Sequence, residues 1–248
     1  LSNVVWAWQV YDEVNGFFMT NSFEEFLAYQ CRTSLKFGWC YNSTFDFAQI
    51  DYEILATGKG KWKPHVHERG KGKGYDKGQA WTYESIHNDM GARYAYKLWI
   101  PYRNQDRHEY VHAIEYRDFM KLVAGGLGKL LKDLDVKDNE GNPIRKLEMD
   151  YQEADIDYCR NDVKGLYFAI KQFNGVIEQQ TAGELHIYGE ETNLMTAGGF
   201  AKSELLRSIY PKLKSKKKRI NQFKKEHPIT QKQDEYVRKN HLYRGGIS

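Results

Sequence analysis

The 248 residues suffice for one large domain or two small ones, and a composition of 41% hydrophobic and 15% aromatic residues suits a globular core. No apolar run approaches the ~20 residues of a membrane span. The three cysteines, Cys31, Cys40 and Cys159, form no CxxC pair, which argues against a disulfide scaffold or zinc site and for a reducing cytoplasm. Net charge is +4 but uneven. Residues 59–77 hold seven Lys or Arg against two acids. Residues 212–225 hold eight (Lys212, Lys214, Lys216, Lys217, Lys218, Arg219, Lys224 and Lys225) with none. Such runs either track a phosphate backbone or form a solvated surface. The chain begins at Leu1 rather than Met, so an upstream segment is expected.

Residues 4–11, rich in β-branched and aromatic side chains, predict a strand. Asn15-Gly16 predicts a hairpin turn, with Phe17-Phe18-Met19 as the return strand. Ser22 and Glu25 have capping-box spacing and open a helix that places Phe23, Phe26, Leu27 and Gln30 on one face. Phe37–Tyr41 predicts a short strand and Phe45–Leu55 a helix ending near Gly58. Residues 56–80, Gly- and Lys-rich without hydrophobic period, predict a loop. Strands are expected at Tyr94–Ile100 and Glu109–Ile114, a helix at Phe119–Leu134, a turn at Asp138–Pro143 and an edge strand at Lys146–Tyr151. Ile156, Cys159, Val163, Leu166, Tyr167, Ile170 and Phe173 recur at helical spacing, so Ala154–Gln179 predicts a long helix. A last helix covers Ala201–Ile209 and stops before Pro211. Hairpin strands followed by interleaved helices predict an α/β layer with a mixed sheet.

Four segments carry candidate chemistry. Asn42-Ser43-Thr44-Phe45-Asp46 sits where a strand gives way to a helix, which puts Asp46 in the first helical turn. Capping by Ser43 or Thr44, with Asp46 at the positive helix end, is the structural alternative. Tyr158 and Asp162 lie four apart and share one face of the long helix. Asp162 there needs a partner, either a divalent metal or a lysine. Lys146 precedes the acidic-aromatic stretch that ends in Tyr151. Tyr243-Arg244-Gly245-Gly246 offers paired glycines that let backbones approach closely.

In this order the four resemble one family, the protein-primed, phage-type family B DNA polymerases. Asn-x-x-Phe-Asp resembles that family's second exonuclease motif and Tyr-x-x-x-Asp the third. Lys146 resembles its assisting lysine, and Tyr-x-Gly-Gly its linker between exonuclease and polymerase domains. Val5-Trp6-Ala7, Met90-Gly91 and Thr196-Ala197-Gly198 add to the register, so the match runs from about Val4 to Gly246. The family's first motif, Asp-x-Glu on the first strand, is missing: only four residues precede Val5 and none is acidic. Where the family carries a Ser/Thr-Leu contact to single-stranded DNA, this chain has Asp118-Phe119.

The resemblance implies a ribonuclease H-like exonuclease fold, a mixed sheet flanked by helices and incomplete at its N-terminus. Residues 1–210 would form the 3′–5′ exonuclease domain, and 211–248 a basic linker toward a polymerase domain. It implies two Mg²⁺ or Mn²⁺ ions held in part by Asp46 and Asp162, with Tyr158 orienting water and Lys146 neutralising phosphate charge. Asn42, Phe45, Tyr151, Tyr243, Gly245 and Gly246 would contact DNA. The expected partners are DNA and a terminal-protein primer. The alternative is a single-stranded DNA-binding remnant without catalysis.

Overall fold

The computed structural model describes residues 7–58, 60–66, 79–87, 93–103, 109–123, 125–148, 156–181, 183, 187, 197–213, 215–228 and 230–239. Internal contacts divide the chain into two compact units, Leu1–Thr192 and Asn193–Ser248.

The first unit opens with an antiparallel hairpin of β1 (Trp8–Asp12) and β2 (Gly16–Thr20). Its turn forms because Asp12 Oδ1 accepts from the amides of Val14 (2.9 Å) and Asn15 (2.7 Å), while Gly16 takes a φ of 74° that side chains resist. Helix α1 (Phe23–Arg32) begins at Ser22, whose Oγ accepts from Glu25 N at 3.2 Å. The reciprocal half of the expected capping box is altered, since Ser22 N donates to Thr20 Oγ1 and the same hydroxyl engages the Glu25 carboxylate. Ser22→Ala removes the acceptor for an otherwise orphan amide. It should cost about 1 kcal/mol in denaturant unfolding of this unit.

The hairpin stands apart from the main sheet, which has five strands in the order β3-β7-β6-β5-β4. These are β3 (Phe37–Cys40), β4 (Lys63–Pro64), β5 (Thr82–His87), β6 (Arg93–Arg103) and β7 (Glu109–Asp118). The β5-β6-β7 core of the sheet is antiparallel, while β3 runs parallel to β7 and β4 parallel to β5, so the sheet is mixed as expected. Strand β5 escapes sequence reading because Thr-Tyr-Glu-Ser-Ile-His has no sustained apolar alternation.

Helix α2 (Ser43–Tyr52) follows β3 and widens into a π-turn at Glu53–Thr57 before Gly58. Phe23, Phe26 and Leu27 of α1, Phe47 and Ile50 of α2, and Ile54 pack with Tyr96, Leu98, Ile100, Ile114 and Tyr116 of the sheet. The two buried tyrosines keep partners. Tyr96 Oη donates to Asp51 at 2.8 Å, and Tyr116 Oη donates to Gln30 at 3.0 Å, which explains a glutamine on the buried face of α1.

Two expectations need correction here. The helix at Phe119–Leu134 is two pieces, a 3₁₀ turn at Phe119–Lys121 and α3 (Leu127–Asp133), because Gly125 between them adopts φ 120°. Residues 144–148 form no strand; they run as irregular chain along the next helix, and Tyr151 lies outside the described residues. Residues 211–239 carry two of the helices of the second unit. The Asp138–Pro143 turn is present, closed by the bridge Lys137↔Pro143.

Helix α4 (Ile156–Gln180) is the long helix that the apolar spacing predicts. It packs on β1 through Tyr11 against Tyr167 (ring centroids 5.2 Å apart) and on α3. Gly165 allows the close approach: a Cβ there would meet Leu131 Cδ1 at 3.2 Å and Ile144 Cγ2 at 3.3 Å. Glu13 ties the hairpin to α4 by accepting from Lys171 Nζ (2.8 Å) and Tyr167 Oη (2.7 Å), bonds that pull its carboxyl down to about 2.

The second unit contains α5 (Ala197–Ile209), α6 (Lys216–Glu226) and α7 (Gln231–Lys239). The last two are polar on nearly every side, so hydrophobic period gives no sign of them. No described helix is long and apolar enough to cross a membrane. None of Cys31, Cys40 and Cys159 is joined in a disulfide.

Candidate functional site

The first half of the site is the turn from β3 into α2. Parallel pairing sets Cys40 opposite Asp118, so the C-terminal ends of β3 and β7 meet. Asp118 is 1% exposed, and its Oδ1 accepts from Asn42 N at 3.1 Å and from Met120 N at 3.0 Å. That grip holds Asn42 in the left-handed conformation (φ 59°, ψ 56°), which asparagine tolerates better than most residues. Asn42 is thus the N-cap position of α2, without a side-chain capping bond. Neither Ser43 nor Thr44 is the cap, and Ser43 Oγ is buried without a hydrogen bond. Phe45 is 62% exposed.

Asp46 lies in the first turn of α2, where the helix dipole favours its anion. Burial and the nearby Asp118 charge outweigh that preference and raise its carboxyl to about 6. Asp118 Oδ2 is buried with no hydrogen bond; its charge faces Lys121 Nζ at 3.6 Å.

The second half is built on α4. Lys146 Nζ lies 3.6 Å from Asp162 Oδ2 and 5.4 Å from the centroid of the Tyr158 ring. Burial pulls the Lys146 ammonium down, but hydrogen bonding to Tyr158 and the Asp162 charge together outweigh it and raise it above its usual value. Thus Tyr158, Asp162 and Lys146 are brought together by an i,i+4 pair and a segment laid beside it. Asn161 fixes that segment by donating to Arg145 O at 2.8 Å. Asp162 Oδ1 is buried and takes no hydrogen bond.

The stretch from Gly125 to Gly128 links the halves. Tyr41 Oη donates to Gly125 O at 2.7 Å, and Lys146 packs its stem on Gly128, where a Cβ would come within 3.2 Å of Lys146 Cβ. Sequence reasoning misses Asp118 and these glycines as site residues. Asp118 stands out only as a departure from the family's Ser/Thr-Leu contact, and its link to Asp46 depends on strand register. Three glycines within four residues of an apolar period are the visible signal for the bridge. Tyr151, Tyr243, Gly245 and Gly246 lie outside the described residues.

Asp118 Oδ2 and Asp162 Oδ1 are buried carboxylate oxygens without a hydrogen bond, and the first already faces Lys121; among the described residues no three His, Cys, Asp or Glu are grouped to hold a metal ion. Asp46 is influenced by Asp118, whereas Asp162 faces Lys146. The described residues therefore fit a divalent metal only as parts of a site.

A mixed α/β layer of this kind, five strands with helices against them, is found within a DNA polymerase. The chain is similar to phi29 DNA polymerase in its orthorhombic crystal form, with TM-score 0.59 and 20% identity over 94% of this chain and 35% of that one. It is also similar to phi29 DNA polymerase complexed with primer-template DNA and incoming nucleotides, with TM-score 0.53 and 18% identity over 82% of this chain and 31% of that one. The chain thus spans about a third of the length of these structures. No protein-family model and no curated protein matches it.

Proposed function

We propose that this chain supplies the proofreading 3′–5′ exonuclease of a DNA-directed DNA polymerase for protein-primed replication, in a ribonuclease H-like fold. Residues 1–210 carry the nuclease and 211–248 lead toward a polymerase domain. The observation that carries the reading is the meeting of Lys146, Tyr158 and Asp162. The resemblance assigns these residues to one reaction, and they come from separate segments. The likeness of fold to phi29 DNA polymerase supports it.

In this reading Phe45 stacks on the frayed 3′-terminal base and Asn42 holds its backbone. Tyr158 orients a water toward the terminal phosphorus, and Lys146 offsets the charge that builds on the phosphate as the bond to the upstream O3′ breaks. Divalent metal, Mg²⁺ or Mn²⁺, would supply water activation and leaving-group stabilisation. Asp46 and Asp162 are the residues here for that role. With the Asp-x-Glu pair missing, the chain alone should hydrolyse DNA feebly or not at all.

A single-stranded oligonucleotide with a photoreactive base at its 3′ terminus should crosslink to Tyr41–Asp46 or to residues 146–162. The same base at the 5′ terminus should not. Crosslinks confined to other segments would overturn the assignment. Vigorous Mg²⁺-dependent digestion by this chain would show that its chemistry does not need the missing pair.

A further inference from the structure

Helix α6 sorts its charges by side. At about 100° per residue, Lys217, Lys218, Asn221, Lys224 and Lys225 fall within an arc of about 120°, and all five are exposed. The remaining charged groups described on α6 lie on the far side and are engaged there. Arg219 is 8% exposed and donates through Nε to Leu213 O, closing the turn that leads into the helix. Glu226 accepts from Tyr210 Oη and Gln222, and its carboxyl is held below the usual range. The ion pair described in this unit, Arg207–Glu204, is on α5. The arc is therefore a ridge of four lysines with a neutral asparagine at its centre and no acid on it.

The ridge rises about 12 Å from Lys217 to Lys225, the length over which one DNA strand presents three or four phosphates. Flexible ammonium groups bind phosphates as point charges, so such a ridge positions a strand without reading its bases. An anionic membrane surface is the other polyanion that attracts lysines. However, α6 has only two large apolar residues, Ile220 and Phe223, and Ile220 is half-buried where α6 packs on α5. That is too little apolar surface to enter an interface.

We propose that the Lys217–Lys225 face of α6 is a docking surface for the phosphate backbone of a nucleic-acid strand. It is independent of base sequence and of the cleavage chemistry proposed above. The test uses the full chain in EDTA, so that no cleavage intervenes, and a fluorescent single-stranded oligonucleotide about 20 nucleotides long. Affinity is measured against salt for wild type and for K217Q/K218Q/K224Q/K225Q; glutamine keeps helix propensity. The log–log slope should flatten by about 0.7 per lysine. Between 50 and 200 mM salt the variant should therefore be spared about 50-fold of the wild-type loss of affinity.

K36Q/K129Q/K132Q/K137Q, which removes equal charge from exposed positions of the first unit, should leave the slope nearly unchanged. The four single variants, each flattening the slope by about 0.7, serve if the quadruple variant fails to fold. An unaltered slope in the α6 variants, or equal flattening in the control, would overturn the proposal. So would tighter capture by phosphatidylserine vesicles than by DNA.

Discussion

Asp46→Asn is expected to stabilise the first unit by about 1–3 kcal/mol at pH 7. The Asp46 carboxyl is raised to about 6 from an ordinary value of 3.8, by burial first and by Asp118 second. Between those values the folded chain binds a proton that the unfolded chain has lost. The wild type is therefore at its best below about pH 4, and that stability is lost as pH rises through 6. Each tenfold change in proton affinity is worth about 1.4 kcal/mol, and residual solvent access reduces the total. The asparagine variant carries no such charge, so its advantage should be full above pH 6 and gone below pH 4. Thermal melts across that range check it, at about 2–4 °C per kcal/mol. A difference that does not vary with pH would mean that the charge is not the cause. If Asp46 also serves catalysis, the variant gains stability while losing function, the usual trade at a site that holds charge under strain.

Asp118→Ala should act in the opposite direction and cost about 2–4 kcal/mol. It strips the acceptor from two backbone amides, Asn42 N and Met120 N, and leaves Lys121 without its partner. With the grip on Asn42 gone, the left-handed turn that presents Asp46 has nothing to enforce it. Asp118→Asn keeps an acceptor oxygen and should cost much less. It should also let the Asp46 carboxyl fall toward its ordinary range, which an NMR titration of Asp46 would read directly. An alanine variant as stable as wild type would show that the carboxylate does not hold the turn.

Local chemistry made much of the fold legible. Asn15-Gly16 fixed the hairpin, Ser22 the start of α1, and the apolar spacing of α4 its length and inner face. What escaped was either non-local or unpatterned. Strand β5 is a strand because β6 pairs with it, not because its residues alternate. The hairpin stands outside the main sheet, a matter of tertiary pairing that propensity does not encode. Helices α6 and α7 rest on the intrinsic preferences of Lys, Gln and Glu, to which a search for apolar period is blind. At the candidate site, Asp46, Tyr158, Asp162 and Lys146 were visible as motif residues, and the i,i+4 spacing alone put two of them on one face. Asp118 was not, because only the parallel register of β3 and β7 carries it to the Asn42 turn.

The contact between Gly128 and Lys146 means that one dimension of this site is defined by a side chain that is missing. Short α3 acts as a spacer of fixed thickness: Tyr41 is fastened to the Gly125 end, and Lys146 rests on the helix one turn further on. Bulk added at Gly128 would press on the Lys146 stem and widen that gauge without substituting a motif residue. Gly128→Ala would thus act on the spacing between the two halves of the site from a position that no catalytic signature marks.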